Sequence, residues 1–244
     1  VSDEQAVFVE PLGAALEILE KVRIKPTDRV LVIGAGRLGH LIAQVLLLTG
    51  ADLRVVAKHP AQIELLAKRG INPIFESDLT GTKWDVVVEA TGSPAGFELA
   101  RRLIRPEGKL VLKSTYKGNL EVNLSSIVVE ELHLVGSRCG PFAPAIRLLE
   151  SKLVDPTVLI DSTFPMSSAI EAYERANTRG VLKVFGGRQA TSAPGVIPTK
   201  TPSQAMYDQW VAYCAAYART NPFLPRFYRL RNGAYTLDRV YNGR

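Results

Sequence analysis

Eleven residues, Arg29 to Gly39, constrain this chain more than any other stretch. An apolar run, Val30-Leu31-Val32-Ile33, leads into Gly34-Ala35-Gly36-Arg37-Leu38-Gly39, and a helical repeat then runs from Leu38 to Thr49 and stops at Gly50. The run is too short for a helix and too apolar to keep one wet face, so it reads as a strand buried on both sides. Each glycine has a mechanical reason: Gly34 permits a tight turn, Gly36 lets a ligand reach the backbone, and Gly39 lets the helix pack close to the strand. The first N–H groups of a helix lack partners and carry positive potential, so the backbone of Arg37, Leu38 and Gly39 is expected to hold a phosphate group.

The alternation repeats. Leu53 to Ala57 is a second β-rich run, Ala61 to Arg69 a helix closed by Gly70, and Asn72 to Phe75 a short third strand. Asp85 to Glu89 is a fourth strand, Pro94 to Ile104 a helix, Lys109 to Lys113 a fifth strand and Leu132 to Val135 a sixth. An amphipathic helix is expected over residues 6 to 21, broken at Pro11 beside Glu10, with later helices at Pro144 to Lys152 and Ser167 to Thr178 and a last strand at Leu182 to Phe185. Apolar strands alternating with helices predict an α/β fold of the Rossmann type, a doubly wound six-stranded parallel sheet covered on both faces. In that setting the glycine motif predicts a dinucleotide whose pyrophosphate lies over the loop.

At 46% hydrophobic residues, a chain of 244 residues can fill a sizeable core. Cys139 and Cys214 form no C-x-x-C pair, which excludes a disulfide framework and a cysteine-built zinc site and points to a reducing compartment. No apolar run of about 18 residues is present, and Val1-Ser2-Asp3-Glu4-Gln5 lacks the basic start of a signal peptide. A cytoplasmic protein without a membrane partner is expected.

The net charge of +6 resides wholly in the tail. From Arg188 onward eight basic residues face only Asp208 and Asp238, and the same stretch holds six of the eight tyrosines. The composition therefore divides the chain into a Rossmann domain with short flanking elements over 1–187, a Pro/Ser/Thr-rich linker over 188–203, and a basic aromatic appendage over 204–244. Ser203 can cap a helix from Gln204 to Arg219, and Asn232-Gly233 signals a two-residue hairpin between Phe227-Tyr228-Arg229-Leu230-Arg231 and Ala234-Tyr235-Thr236-Leu237. Arginines interleaved with aromatics suit nucleic acid, but a small helix-and-hairpin core accounts for them more simply, so no nucleic-acid partner is expected.

The dinucleotide is decided where the second strand ends, Val55-Val56-Ala57-Lys58-His59. An NAD site places an Asp or Glu there for the adenosine ribose. None is present, and Lys58 and His59 suit a 2′-phosphate, so NADP is favoured and NAD stays open. The missing acid also argues against a methyltransferase. No tyrosine has a lysine four positions later, which disfavours short-chain dehydrogenase chemistry.

The order of motifs resembles the medium-chain dehydrogenase/reductase family, the zinc-type alcohol and polyol dehydrogenases. Matching segments are Val9-Glu10-Pro11-Leu12, Val30 to Gly36, Asp85-Val86-Val87-Val88-Glu89-Ala90-Thr91-Gly92, Gly136-Ser137-Arg138, Phe164-Pro165-Met166 and Leu182-Lys183-Val184, from residue 1 to about 187. The resemblance implies strand order 3-2-1-4-5-6 and hydride transfer between an alcohol or polyol and NADP. It also implies a homodimer joined at the sixth strand, and a segment from about Val158 to Phe185 that returns to a catalytic domain.

It also implies site residues. Arg37 and Lys183 are placed for the pyrophosphate, and Thr91 and Gly92 for the ribose side. Ser114, Gly136 and Ser137 end strands five and six, where the family lines the nicotinamide pocket with backbone groups, although Lys113-Ser114-Thr115 replaces the small residues usual there. Glu10 matches the polyol-branch glutamate that approaches zinc directly or through water. In the family the other ligands lie ahead of the glycine strand, and here only about thirty residues precede it. His40, His59 and His133 are scattered over a helix and two strand ends and replace no ligand set. The expectation is a cofactor-binding half that lacks its catalytic domain, is inactive alone and takes zinc only with that domain. The alternative is a dinucleotide-binding module without chemistry, whose tail docks a partner.

Overall fold

Val30 and Val32 point to one face of a sheet, Leu31 and Ile33 to the other, and all four are buried. The computed structural model describes residues 1–187 except Thr80, Thr82 and Lys117, together with two short strands at 226–229 and 235–238. Six parallel strands form the main sheet: β1 (Arg29–Ile33), β2 (Asp52–Val56), β3 (Asn72–Ile74), β4 (Trp84–Glu89), β5 (Ile104–Leu112) and β6 (His133–Gly136). Their order is β3-β2-β1-β4-β5-β6, as the family resemblance implies.

The two faces bury separate cores. Val30, Val32, Val55, Val86, Val88 and Val111 pack beneath α2 (Val9–Lys21), α3 (Arg37–Leu47) and α7 (Phe142–Glu150). Leu31, Ile33, Val56, Val87 and Leu110 pack beneath α5 (Pro94–Leu103), which contributes Phe97, Ala100 and Leu103 from one stripe. Each large side chain taken from water adds about 1.5–3 kcal/mol, so strands with two covered faces are uniformly apolar. Pro94 opens α5 and Ser93 caps it, its Oγ accepting from the Gly96 N–H at 3.1 Å. Pro60 likewise opens α4 (Pro60–Ala67).

Several elements differ from expectation. The first helix is two, α1 (Asp3–Ala6) and α2, and the break falls at Val7-Phe8 rather than at Pro11. Pro11 sits in the first turn of α2, where an N–H has no partner to lose. The fifth strand begins at Ile104, pairs there with Trp84, and then shifts register before Lys109. A short helix, α6 (Leu124–Val129), was absent from the pattern because Ile127-Val128-Val129 reads as β-prone and shows no helical period. The last predicted strand, β8 (Lys183–Gly187), has a partner the pattern missed, β7 (Ile160–Pro165), and the two form a separate parallel pair. Between them lies α8 (Ala169–Ala176), preceded by a 3-10 turn at Met166–Ser168.

Residues 1–189 form one compact unit and 190–244 a second. In the second, β9 (Arg226–Arg229) and β10 (Tyr235–Asp238) pair antiparallel. Arg229 stands opposite Tyr235, whereas a two-residue turn on Asn232-Gly233 would set it opposite Thr236. The local preference of Asn-Gly therefore does not fix this register. The expected linker and the helix from Gln204 lie outside the described residues. Among those described, no helix is long and apolar enough to cross a membrane.

Candidate functional site

Between β1 and β4 the chain reverses its direction of winding: α3 leaves β1 on one face and α5 leaves β4 on the other. Such a switch point opens a crevice at the carboxyl ends of the strands. Gly34 has φ +109°, and a Cβ on it would press to 3.0 Å on the backbone of Ala90. A Cβ on Gly39 would overlap the Gly34 carbonyl oxygen, so α3 can begin this close to β1 only without one. Above Gly36 the situation is opposite, with no heavy atom within 4 Å of a Cβ built there. Gly36 caps α3 without a side-chain acceptor, which leaves the N–H groups of Arg37, Leu38 and Gly39 to face a ligand.

The crevice is a cleft of about 310 Å³ that gathers Gly34, Gly36, Lys58, His59 and Thr91. Val56 and Leu99 add apolar walls. Lys58 and His59 are exposed at the tip of β2, and Gln62 holds their turn, its Oε1 accepting from Lys58 N at 3.0 Å and His59 N at 3.2 Å. Lys183, at the start of β8, is half-buried with Nζ 5.6 Å from the Phe8 ring centroid. Burial first, and the charge of Arg37 second, hold its ammonium below the usual lysine range. Two cations therefore share the neighbourhood of the α3 start, where an anion relieves their repulsion.

Beyond β4 the chain is braced. Glu89 is fully buried, and its Oε1 accepts from both the amide and the hydroxyl of Thr91 at 2.6 Å. Gly92 N donates to Ser114 Oγ at 2.8 Å, tying the tip of β4 to that of β5. Lys113 Nζ donates to the Ala14 carbonyl of α2 at 2.7 Å and to Ser137 Oγ at 3.1 Å. Burial lowers the Lys113 pKa, opposed by the nearby charges of Glu17, Cys139 and Glu10. Ser137 is buried and Gly136 exposed at the end of β6. Of the residues expected around a nicotinamide, Ser114 is thus bonded to Gly92 from the ribose side and Ser137 to Lys113.

Residues 38–151 match the family described as zinc-binding dehydrogenase. These residues run from α3 through α7 and so carry a zinc-binding dehydrogenase domain. D-arabinitol dehydrogenase 1 of Uromyces fabae is 31% identical over 204 residues, which cover 75% of this chain and 58% of the relative. L-galactonate-5-dehydrogenase of Escherichia coli (strain K12) is 27% identical with the same coverage of both. Among solved structures, an alcohol dehydrogenase from Escherichia coli CFT073 in complex with NADH superposes with TM-score 0.68 at 26% identity, covering 75% of this chain and 58% of that one. The alcohol dehydrogenase of Thermus sp. ATN1 gives TM-score 0.69 at 25% identity, with coverage of 77% and 59%. The chain spans somewhat over half the length of the relatives it matches.

Ahead of the matched residues, Glu10 is exposed in the first turn of α2, where a negative charge complements the helix dipole. Among the described residues no group of three or more His, Cys, Asp or Glu is placed to hold a metal ion, so these residues do not by themselves fit zinc. His40 is buried in α3, His59 lies at the cleft and His133 is exposed on β6. Sequence reasoning missed Gln62, Glu76, Glu89 and Tyr116. A carboxylate ending an otherwise apolar strand was the available signal for Glu89. Tyr116 gave none, since its partner lies 27 positions earlier in the chain.

Proposed function

We propose that this unit binds NADP in preference to NAD across the carboxyl ends of its strands, as the cofactor-binding part of a zinc-type alcohol or polyol dehydrogenase. One observation carries the reading: Gly34, Gly36, Lys58, His59 and Thr91, separated by up to 57 positions in the sequence, line a single cleft at the switch point. The space above Gly36 admits a pyrophosphate to the backbone, and the α3 N–H groups, Arg37 and Lys183 supply positive charge. Lys58 and His59 replace the acid that would accept from the ribose of NAD.

The bound nicotinamide would supply a hydride donor or acceptor for an alcohol carbon. The chain's own contribution is binding and orientation: Thr91 and Gly92 on the ribose side, and Ser114, Gly136 and Ser137 beneath the ring. Lys113, just beyond β5, ties the last of these to α2. Substrates of the alcohol or polyol class follow from the relatives, which act on polyols, sugar acids or alcohols by name. A cytoplasmic homodimer joined at β6 completes the reading. Glu10 enters a metal site only alongside ligands other than those described here. Calorimetric titration with NADPH and NADH tests the proposal. Tighter binding of NADPH is expected, equal or tighter binding of NADH overturns the preference, and binding of neither overturns the site.

A further inference from the structure

One residue of the cleft has no part in the reading above. Glu76 follows β3 in the 3-10 turn Glu76–Asp78, is exposed, and lines the same hollow as the glycine loop. Among the described residues lining that hollow it is the single carboxylate.

Its position along the sheet fixes what it can meet. From the switch point the strand order runs β1, β2, β3, and neighbouring strands lie about 4.8 Å apart, so the tip of β3 stands about 10 Å beyond the glycine loop. That is a reach on the scale of one nucleoside. The tip of β2, with Lys58 and His59, lies between, where a ribose and its 2′-substituent follow the pyrophosphate. Val56, Ala90, Ala95 and Leu99 give the hollow apolar walls, beside the polar groups of Gln62, Thr91 and Ser93. A partly apolar hollow whose single carboxylate stands on the β3 side suits a planar heterocycle that carries an exocyclic N–H donor.

We infer that Glu76 reads the base of the bound dinucleotide, its carboxylate accepting from the 6-amino group of adenine and disfavouring a 6-oxo purine. The inference rests on the dinucleotide reading of the cleft. The exocyclic 6-oxo group of hypoxanthine would instead set acceptor against acceptor at the carboxylate.

The test compares NADPH with its analogue carrying hypoxanthine in place of adenine, by titration against the wild-type chain, Glu76→Ala and Glu76→Gln. The wild type is expected to bind the adenine form about tenfold or more tightly than the hypoxanthine form. Glu76→Ala should shrink that ratio to about twofold or less by weakening the adenine form, and Glu76→Gln, which keeps an acceptor oxygen, should fall between. Glu76 is exposed, so the variants should fold, which circular dichroism verifies. A wild-type ratio near one, or a ratio that Glu76→Ala leaves unchanged, overturns the inference while leaving the dinucleotide site intact. So does a change in the NADPH to NADH ratio with the base ratio untouched, since that assigns Glu76 to the ribose. Failure of the wild type to bind any of these dinucleotides removes the underlying reading, and this inference with it.

Discussion

Tyr116 donates a hydrogen bond of 2.5 Å to Glu89 Oε2, while the other oxygen of that fully buried carboxylate receives Thr91. Burial and the Glu89 partner push the Tyr116 phenol above the usual tyrosine range, so it remains a donor across the physiological pH range. A buried carboxylate is tolerable only with its acceptors filled. Tyr116→Phe should therefore cost about 1.5–3 kcal/mol in urea unfolding. Glu89→Ala, which also frees Thr91 at the cleft, should weaken NADPH binding as well. Unchanged stability in Tyr116→Phe would show that water replaces the phenol.

Lys58 should govern cofactor choice. Replacing it with Asp puts an acceptor for ribose hydroxyls, and a charge hostile to phosphate, at the tip of β2. The NADPH to NADH affinity ratio should fall by about tenfold or more. A ratio that stays constant would mean that the 2′-phosphate, if bound, is held elsewhere in the cleft.

His40 predicts an acid-labile fold. It is 1% exposed in α3, its Nε2 has no partner among the described residues, and burial pulls its pKa to about 4. Between pH 6.5, where the unfolded imidazole titrates, and pH 4, the unfolded state binds more protons than the folded one. Its contribution is thus fully present above pH 6.5 and is lost as the pH falls toward 4, a decline of up to about 3 kcal/mol. His40→Leu should flatten that part of the stability profile measured by thermal melting. An identical profile in the variant would assign the acid sensitivity to other groups.

The edge of the sheet predicts self-association. Among the described strands β6 has one neighbour, and Leu134 there and Val128 and Val129 on the preceding α6 are 40%, 74% and 81% exposed. An apolar edge of this kind is stable in water only when covered. Light scattering should report a dimer, for the full chain and for one ending at Gly187. Leu134→Pro, which removes a ladder donor, should give monomers. A monomeric full chain whose shortened form aggregates would instead make the tail the cover.

What the chain encodes locally was legible before any coordinates. The uniform apolarity of Val30-Leu31-Val32-Ile33 and Asp85 to Glu89 follows from burial on both faces, and Gly34 and Gly39 sit where backbone contact forbids a Cβ. The alternation gave a parallel sheet with two covered faces, and its strand order came from the family resemblance. Short elements escaped: α6 hid behind β-branched residues, and β7 became a strand only by meeting β8, 23 positions downstream at its start. The site divided the same way. The glycine loop and Lys58 announce themselves through spacing, because their roles depend on backbone within a few residues. Glu76 enters the cleft, Glu89 meets Tyr116, and Lys113 turns to Ala14 only after three or more strands align, since each contact joins segments that share no local pattern. Periodicity records which side of an element is buried, and only tertiary packing decides what it is buried against.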